Sequence, residues 1–547
     1  MGAFPWAAFL IWLAVTAAVF PLSGLIDGAG LTEQRRGLVN IFYVLFARFE
    51  PTAALLALTS MPVVLLAIWR RRADGPLDRA ATRLLGGGRI GIMATAVAVG
   101  LFAWIAAGLV HHNYPLSMDE YGAEFQAELI LDGRWAAPID PSWRPFAQAM
   151  TPVFITLHGE PLQWTSHYLP VYGALKAIFL ALGLPALLNV LCAAGSVWLV
   201  AAVARRLWPR HAAAPMVAVL LLALSPQFLV MSSTFYSLPA HLALNLLWLH
   251  LYLRDDRRSM ALLPWVGVAA MGLHQFVMHS MFAAPFLAWV VLQRRFKRAA
   301  YFALVYLAGL AAWWGWLRLM RPVELDGAVA GAMGLPGPMQ WLNQALNVAL
   351  TFNWQSPVLI IGVLVAVGSW RSLSAVERCL VLSCLTTFVF YWFFLPDQGH
   401  GWGYRYMYPV LGNMALLAAL GCKILSDRLG EPAGRSFVMV GLGATLVLVL
   451  PWRLVEVETT VRPFAEARAA LMERPESVLV LDMAEIWYGN DLIRNDPLFR
   501  DTPRLLRPVA GMHGDPTWQR WMAREDVGFV SHEELLSYGL TPAPELP

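Results

Sequence analysis

Two adjacent carboxylates, Asp119 and Glu120, follow an apolar stretch that ends near Val110. A carboxylate held at a helix start beside a membrane surface can act as a general base. A plainer interpretation is a capping box, S-x-x-E, in which Ser117 caps the helix and Glu120 binds back to it. That interpretation accounts for Glu120 and leaves Asp119 without a structural task. Asp119 is therefore the predicted catalytic base, with Glu120 beside it as the alternative.

The second candidate is the stretch 395–412, "LPDQGHGWGYRYMYPVLG", where an apolar run follows a glycine-rich turn. An arginine at membrane depth is costly unless it is paired or faces a cavity. The planar guanidinium of Arg405 suits a phosphate group, and Tyr404, Tyr406 and His400 flank it as predicted binding residues. The alternative is an arginine that reaches the interface within an aromatic belt. The residues alone leave both interpretations open.

Three further polar residues, Glu160, His167 and His241, stand near the predicted outer ends of apolar segments. No histidine pair has metal-ligand spacing with a carboxylate nearby, so hydrogen-bonding interfacial histidines are the plain interpretation. A divalent metal held by distant loops stays open, and no cofactor is assigned. One predicted cavity is lined by Asp119, Glu160, His167, His241, His400 and Arg405.

The composition determines what kind of protein must position these groups. The chain has 547 residues, of which 58% are hydrophobic and 14% charged, far more apolar than a soluble domain. The net charge of +4 is small, and the basic residues form short clusters between apolar runs. That pattern indicates membrane topology rather than nucleic-acid binding. The four cysteines all fall in apolar segments, so we expect free thiols and no metal site built on sulfur.

The predicted fold is an all-α polytopic membrane protein. About 20 apolar residues are needed to cross a bilayer, and about thirteen segments qualify: 4–26, 52–70, 89–110, 185–204, 212–230, 237–253, 261–276, 279–293, 299–317, 356–370, 377–396, 404–424 and 436–454. The first is interpreted as a retained span, because it lacks the charged start and cleavage site of a signal peptide. The transmembrane part is therefore 1–454.

The basic clusters predict the orientation. Alternate short loops carry arginine and lysine, as at 205–206, 257–258 and 294–298, and such loops are cytoplasmic. The N-terminus is then cytoplasmic and the C-terminus lies outside, together with the large loop 111–184. That loop should hold a helix after Ser117 and an interfacial helix in "YLPVYGALKAIFLALG". Residues 455–547, which include the strand-like run "SVLVLDM", are predicted to form a small α/β outer domain.

The order of these features resembles the GT-C glycosyltransferases, including the bacterial aminoarabinose transferase and protein O-mannosyltransferase groups. The similar elements are "SMDE", a helix ending in "DGR", "YLPVYGALKAIFLALG", a span ending in "ARRLW", and the later "RYMYP". The resemblance covers the span before Asp119 through about residue 300, and again 405–409. Two extra spans in 1–88 precede it, which indicates a separate sub-branch.

This resemblance implies a sugar transferred from a polyprenyl-phosphate carrier to a lipid, glycan or protein acceptor on the outer face of a bacterial inner membrane. Asp119 would be the base of an inverting displacement, and Arg405 would bind the phosphate. Relatives often have a lysine just before the proline of the interfacial helix. Here Pro170 follows His167-Tyr168-Leu169, which leaves His167 as the substitute. Relatives can also carry an acidic residue where His241 is the nearest ionisable group.

Two other functions remain compatible with the sequence. One is a glycolipid flippase or transporter, although the sequence shows no matched pair of broken helices, the usual pointer to a transporter. The other is a ligase or polymerase of related fold that uses a lipid-diphosphate donor. No phosphate-binding glycine loop and no G-x-S-x-G nucleophile motif occurs in the chain.

Overall fold

The structure is a computed structural model that describes residues 5–31, 41–69, 75–321, 332–396, 398–399, 401–483, 486, 488–509 and 516–541. The predicted site residue His400 lies outside these ranges. Within them the chain is mainly helical.

The helices of the first half are, in chain order, α1 Trp6–Ala17, α2 Val19–Gly28, α3 Ile41–Trp69, α4 Pro76–Leu85, α5 Gly88–Leu109, α6 Met118–Leu131, α7 Ala147–Met150, α8 Pro170–Ala181, α9 Leu187–Leu207, α10 Ala214–Ala223, α11 Pro226–Ser232, α12 Leu238–Arg254 and α13 Arg257–Met271.

Those of the second half are α14 Phe276–Leu292, α15 Phe296–Met320, α16 Pro338–Asn353, α17 Pro357–Gly368, α18 Ala375–Trp392, α19 Leu411–Leu429, α20 Glu431–Ala444, α21 Leu450–Met472, α22 Pro516–Met522 and α23 His532–Ser537. A 3₁₀ helix, Arg405–Val410, leads into α19, and a π-helical turn, Thr445–Val449, joins α20 to α21.

The protein is a multi-pass membrane protein. Among the described residues, eight helices are long and apolar enough to cross a membrane, or ten if two bent pairs each count as one span. Helices α12, α13 and α14 occupy three further predicted spans but contain only 17, 15 and 17 residues. These are shorter than the roughly 20 residues of a typical span. The total of thirteen therefore stays a prediction.

Two apolar segments among the described residues are each broken into a pair of bent helices. The pair α10 and α11 bends by 63°, and the pair α16 and α17 bends by 109°. Each second helix begins at a Ser-Pro pair, Ser225-Pro226 and Ser356-Pro357, and the serine side chain caps it. Proline lacks the amide hydrogen that a continuing helix needs, so it favours a kink or a break, and it suits the first turn of a new helix. The predicted span 212–230 therefore contains a break at Ser225, and the predicted span 356–370 follows the second break at Ser356.

The outer loop and the C-terminal segment each contain a three-stranded sheet. The loop sheet joins β1 Ala137–Pro138, β3 Gln163–Ser166 and β2 Ile155–His158 in antiparallel order. The C-terminal sheet places β4 Val478–Leu481 between two parallel neighbours, which are β5 Arg504–Leu506 and β6 Val527–Val530.

The two sheets belong to one hydrophobic cluster. Phe125 and Trp164 of the loop pack there with Val480 and Leu506 of the C-terminal segment. The Trp164 indole also donates to the Pro497 carbonyl at 2.9 Å. The C-terminal residues therefore cover the loop that carries Asp119. Helix α21 runs past residue 455 to Met472, so a continuous helix connects this layer to the membrane part.

We predict that this covered loop and the C-terminal segment lie outside the cytoplasmic membrane. Asn490 is exposed in the C-terminal segment, and Arg210 is exposed in a loop predicted to be cytoplasmic. A cysteine at Asn490 should react with a membrane-impermeant maleimide in intact cells, whereas an Arg210→Cys variant should react only after permeabilisation. The reverse pattern would contradict the orientation.

Candidate active site

At the start of α6, Asp119 and Glu120 have different hydrogen-bond partners. The Ser117 hydroxyl accepts from the Asp119 amide at 3.2 Å, and the Ser117 amide donates to one Glu120 oxygen at 2.9 Å. The other Glu120 oxygen accepts from the distant Phe235 amide at 2.8 Å. Glu120 is only 2% exposed, and both of its oxygens are engaged. These contacts indicate a structural role for Glu120, and its catalytic role stays a prediction.

Asp119 lies at a junction of three chain segments. One of its oxygens forms an ion pair with the Arg405 guanidinium, and the other accepts a hydrogen bond from the Tyr168 hydroxyl. The side chains of Arg405 and Asp119 are 12% and 9% exposed. The two residues that the sequence singled out separately thus meet directly, although 286 positions apart.

The glycine-rich turn before Arg405 is held by Gln398. Its side-chain oxygen accepts from the Arg405 amide at 3.0 Å, and its amide group donates to the Gly403 carbonyl at 2.9 Å. Gly403 has a φ of +71°, and a Cβ atom there would approach the Gln227 side chain to 2.8 Å. Only glycine meets both conditions. The turn therefore fixes the position of the Arg405 backbone, from which the side chain carries the guanidinium to Asp119.

The ion pair borders a cavity of about 260 Å³. Its lining residues are Asp119, Phe154, His167, Tyr168, Tyr236, Ser237, Leu238, His274, Gln275, Met278, Phe394, Pro396, Arg405 and Tyr406. The structure thus brings together four of the predicted site residues. These four are Asp119, His167, Arg405 and Tyr406.

The other predicted site residues within the described ranges do not line this cavity. Glu160 is exposed in the turn between β2 and β3, and His241 is fully buried within α12. Tyr404 lines a smaller recess next to the cavity. The expected single cavity is therefore corrected for Glu160 and His241, because the turn carries one into solvent and helix packing encloses the other.

Sequence reasoning missed Tyr168, Tyr236 and His274. The Tyr168 ring stacks on His274 with centroids 4.1 Å apart, and Arg405 lies over the Tyr236 ring at 5.3 Å. His274 stands in the polar pair "HQ" between α13 and α14, an interruption of apolar sequence that was the available signal. Tyr168 carried no such signal, since tyrosine is common at any membrane interface.

The charges of the site follow from burial and pairing. Burial by itself would raise the pKa of Asp119, but the charge of Arg405, with His274 and the Tyr168 hydrogen bond, outweighs it and lowers the pKa to about 2. Burial, with Arg321 nearby, lowers the pKa of His167 to about 3. Asp119 is therefore ionised at neutral pH and His167 is neutral. A neutral imidazole cannot supply the cation that a lysine would bring to a phosphate.

The described residues do not form a metal centre. No group of three or more His, Cys, Asp or Glu side chains within those ranges is placed to hold a metal ion. The sequence hypothesis of a divalent metal gains no support from them.

Comparison with known proteins identifies the fold. No family model matches the sequence, and no curated protein is significantly similar to it. The crystal structure of ArnT from Cupriavidus metallidurans bound to undecaprenyl phosphate is 14% identical, over 75% of this chain and 86% of that one, with a TM-score of 0.51. The apo form of ArnT is 14% identical over 75% and 85%, with a TM-score of 0.52.

The Archaeoglobus fulgidus oligosaccharyltransferase, solved with a tethered acceptor peptide, is 12% identical over 76% of this chain and 64% of that one. Its TM-score of 0.45 is too low to add an argument. ArnT is a GT-C glycosyltransferase. The chain therefore has the GT-C fold that the sequence resemblance predicted.

We predict that Glu120 stabilises the protein. Glu120→Ala leaves two buried amides without acceptors, at about 1–3 kcal/mol each, whereas Glu120→Gln keeps one acceptor and should lose roughly half as much. Thermal unfolding in detergent measures both variants. Asp132→Asn, at the exposed end of the same helix, is the control and should be neutral. An alanine variant as stable as the wild type would refute the structural role.

Proposed function

We propose, from the GT-C fold and the site, that the protein transfers a sugar from a polyprenyl-phosphate carrier to an acceptor on the outer face of a bacterial inner membrane. The observation that carries the proposal is the Asp119–Arg405 pair at the edge of a cavity. It offers a carboxylate for the acceptor and a guanidinium for the leaving phosphate. The undecaprenyl phosphate bound to ArnT, a protein of the same fold, supports this class of carrier.

Arg405 is suited to receive the phosphate. Its Nε atom is buried and has no hydrogen-bond partner among the described residues, so the guanidinium retains a donor after pairing with Asp119. Arginine binds phosphate oxygens through parallel hydrogen bonds that are stronger than those between neutral groups. A donor phosphate would therefore compete with Asp119 for the same cation.

That competition couples donor binding to catalysis. Asp119 has a low pKa because Arg405 is beside it, and a carboxylate of such low pKa is a weak base. When the phosphate binds the guanidinium, Arg405 stabilises the charged form of Asp119 less. The pKa of Asp119 then rises. Asp119 then becomes a better base only when the donor is bound, which limits wasteful reaction with water.

The reaction is a single displacement at the anomeric carbon. The acceptor hydroxyl gives its proton to Asp119 as its oxygen forms a bond to that carbon. The bond from the carbon to the phosphate oxygen breaks, and its electron pair leaves with the carrier phosphate. Arg405 stabilises the resulting negative charge, as expected of a fixed cation at a developing anion. Attack opposite the leaving group inverts the configuration.

A glycolipid transporter is the second candidate, because broken helices are a feature of transporters and the described part of the chain has two. Chemistry separates the candidates. A transporter leaves the bond between sugar and phosphate intact, whereas a transferase releases free carrier phosphate.

We predict that purified protein in detergent, mixed with an envelope lipid extract of its source, releases free polyprenyl phosphate detectable by mass spectrometry. Asp119→Asn should lower the release about 10²–10⁴-fold, the usual value of a general base. Arg405→Ala should also abolish it. Release by wild type equal to that by heat-inactivated protein would overturn the transferase proposal and favour transport.

Binding of undecaprenyl phosphate itself distinguishes the two variants. Arg405→Ala should bind it more weakly than wild type, because the phosphate loses its cation. Asp119→Asn should bind it at least as tightly, because Arg405 no longer has to leave a carboxylate. The matched controls Asp132→Asn and Arg134→Ala alter an exposed ion pair and should leave binding and release unchanged.

Tyr168 is predicted to orient Asp119 rather than to bind the donor. Tyr168→Phe removes the hydrogen bond to Asp119 and keeps the ring against His274. Hydrogen bonds to charged groups contribute about 1.5–3 kcal/mol, so turnover should fall roughly 10–100-fold with little change in carrier binding. An equal loss of binding and turnover would contradict this positioning role.

A further inference from the structure

The recess lined by Tyr404 lies beside the cavity that borders the ion pair. Phe394, Pro396 and Tyr406 line both spaces, so the recess and the cavity are neighbours that share these side chains. The recess measures about 10 Å³, which is close to the room that one water molecule or one hydroxyl group needs. A whole sugar ring does not fit there, but one substituent of a ring lying in the 260 Å³ cavity does.

One face of α16 supplies the wall of the recess. Four amide side chains recur at helical spacing, so they share that face; they are Gln340, Asn343, Gln344 and Asn347. Tyr391, Gln398 and Tyr404 complete the polar lining. None of the described lining residues is charged. Amide and phenol groups arranged in this way suit uncharged, hydroxyl-bearing ligands.

Most of these amides already have protein partners. Asn343 accepts from the Tyr43 hydroxyl at 2.6 Å, and Gln344 donates to the Tyr391 carbonyl at 3.0 Å. Two atoms differ. The side-chain oxygen of Asn347 and the hydroxyl of Tyr404 are buried and have no hydrogen-bond partner among the described residues. Asn347 is 7% exposed and Tyr404 1%.

Buried polar atoms without partners are uncommon in folded proteins and call for an explanation. A hydroxyl group has the chemistry that both atoms lack, because it can donate to the Asn347 oxygen and accept from the Tyr404 hydroxyl. A carboxylate cannot, since it has no proton to give Asn347. An ammonium group would bring a charge into a recess whose described walls hold no counter-charge, which is costly.

We propose that this recess binds a hydroxyl group of the donor sugar, and that the protein selects a neutral sugar over one bearing an amino or carboxylate group at that position. The inference rests on the proposed function, since it takes the donor to occupy the adjoining cavity. Asn347 and Tyr404 are then specificity-determining residues, distinct from Asp119 and Arg405, which act on the acceptor and the phosphate.

The test compares binding of five carriers to full-length protein in detergent by native mass spectrometry. They are undecaprenyl phosphate alone and undecaprenyl phosphate bearing glucose, galactose, mannose or glucuronic acid. At least one neutral hexose should bind about tenfold more tightly than the bare carrier, as two neutral hydrogen bonds allow. Glucuronic acid should add no such gain.

Asn347→Leu and Tyr404→Phe should each lose the gain from the hexose while binding the bare carrier within about twofold of wild type. Binding of the bare carrier also shows that each variant is folded. Thr351→Val is the matched control: it removes a hydroxyl one turn further along α16, outside the recess, and should keep the gain.

The outcomes separate this inference from the function on which it rests. If wild type binds none of the five carriers, the polyprenyl-phosphate proposal fails and this inference fails with it. If wild type binds the bare carrier but no hexose binds more tightly, the recess does not recognise the sugar. Retention of the gain by both Asn347→Leu and Tyr404→Phe would also overturn the inference, with carrier binding left standing.

Discussion

The ion pair between Asp119 and Arg405 is the interaction on which the site depends. Both side chains are almost fully buried, and leaving either charge alone in such a place costs about 3–5 kcal/mol. The rest of the site keeps the two together. The capping box fixes the start of α6, Tyr168 holds the second oxygen of the carboxylate, and Gln398 fixes the turn that leads into Arg405. The phosphate of the proposed donor would therefore meet a preformed arrangement.

The two broken helices explain how that turn is held within an apolar part of the molecule. A break exposes backbone groups, and lipid offers them no partners. Here the breaks satisfy each other. The backbone amide of Gln227 donates to the Trp354 carbonyl at 3.2 Å, and the Ser225 hydroxyl donates to the side-chain oxygen of Gln355 at 2.6 Å. Gln355 in turn donates to Gln227, whose side chain donates to the Trp402 carbonyl at 3.1 Å. The breaks thus form a polar support beneath the turn.

The N-terminal helix α3 contributes to the same support. Glu50 of α3 accepts from the Trp354 indole at 2.8 Å and pairs with Arg453 at 2.7 Å. Arg453 also pairs with Glu456 at 2.6 Å and lies over the Trp354 ring. All four side chains are buried. Helix α3 is therefore part of the framework behind the site.

The sequence by itself determined the multi-pass membrane class, the helix start at Ser117 and the strand at Val478–Leu481, because these follow from composition, local capping and hydrophobic pattern. It also singled out Asp119 and Arg405, the two residues that form the ion pair. Only the tertiary structure decided which carboxylate faces the cavity. The Phe235 amide, 115 positions from Glu120, donates a hydrogen bond to Glu120, whereas Arg405 forms an ion pair with Asp119. The placement of Tyr168 and His274 beside Asp119, and the exclusion of Glu160 and His241, likewise depended on packing between distant elements. Local pattern carries no information about such partners.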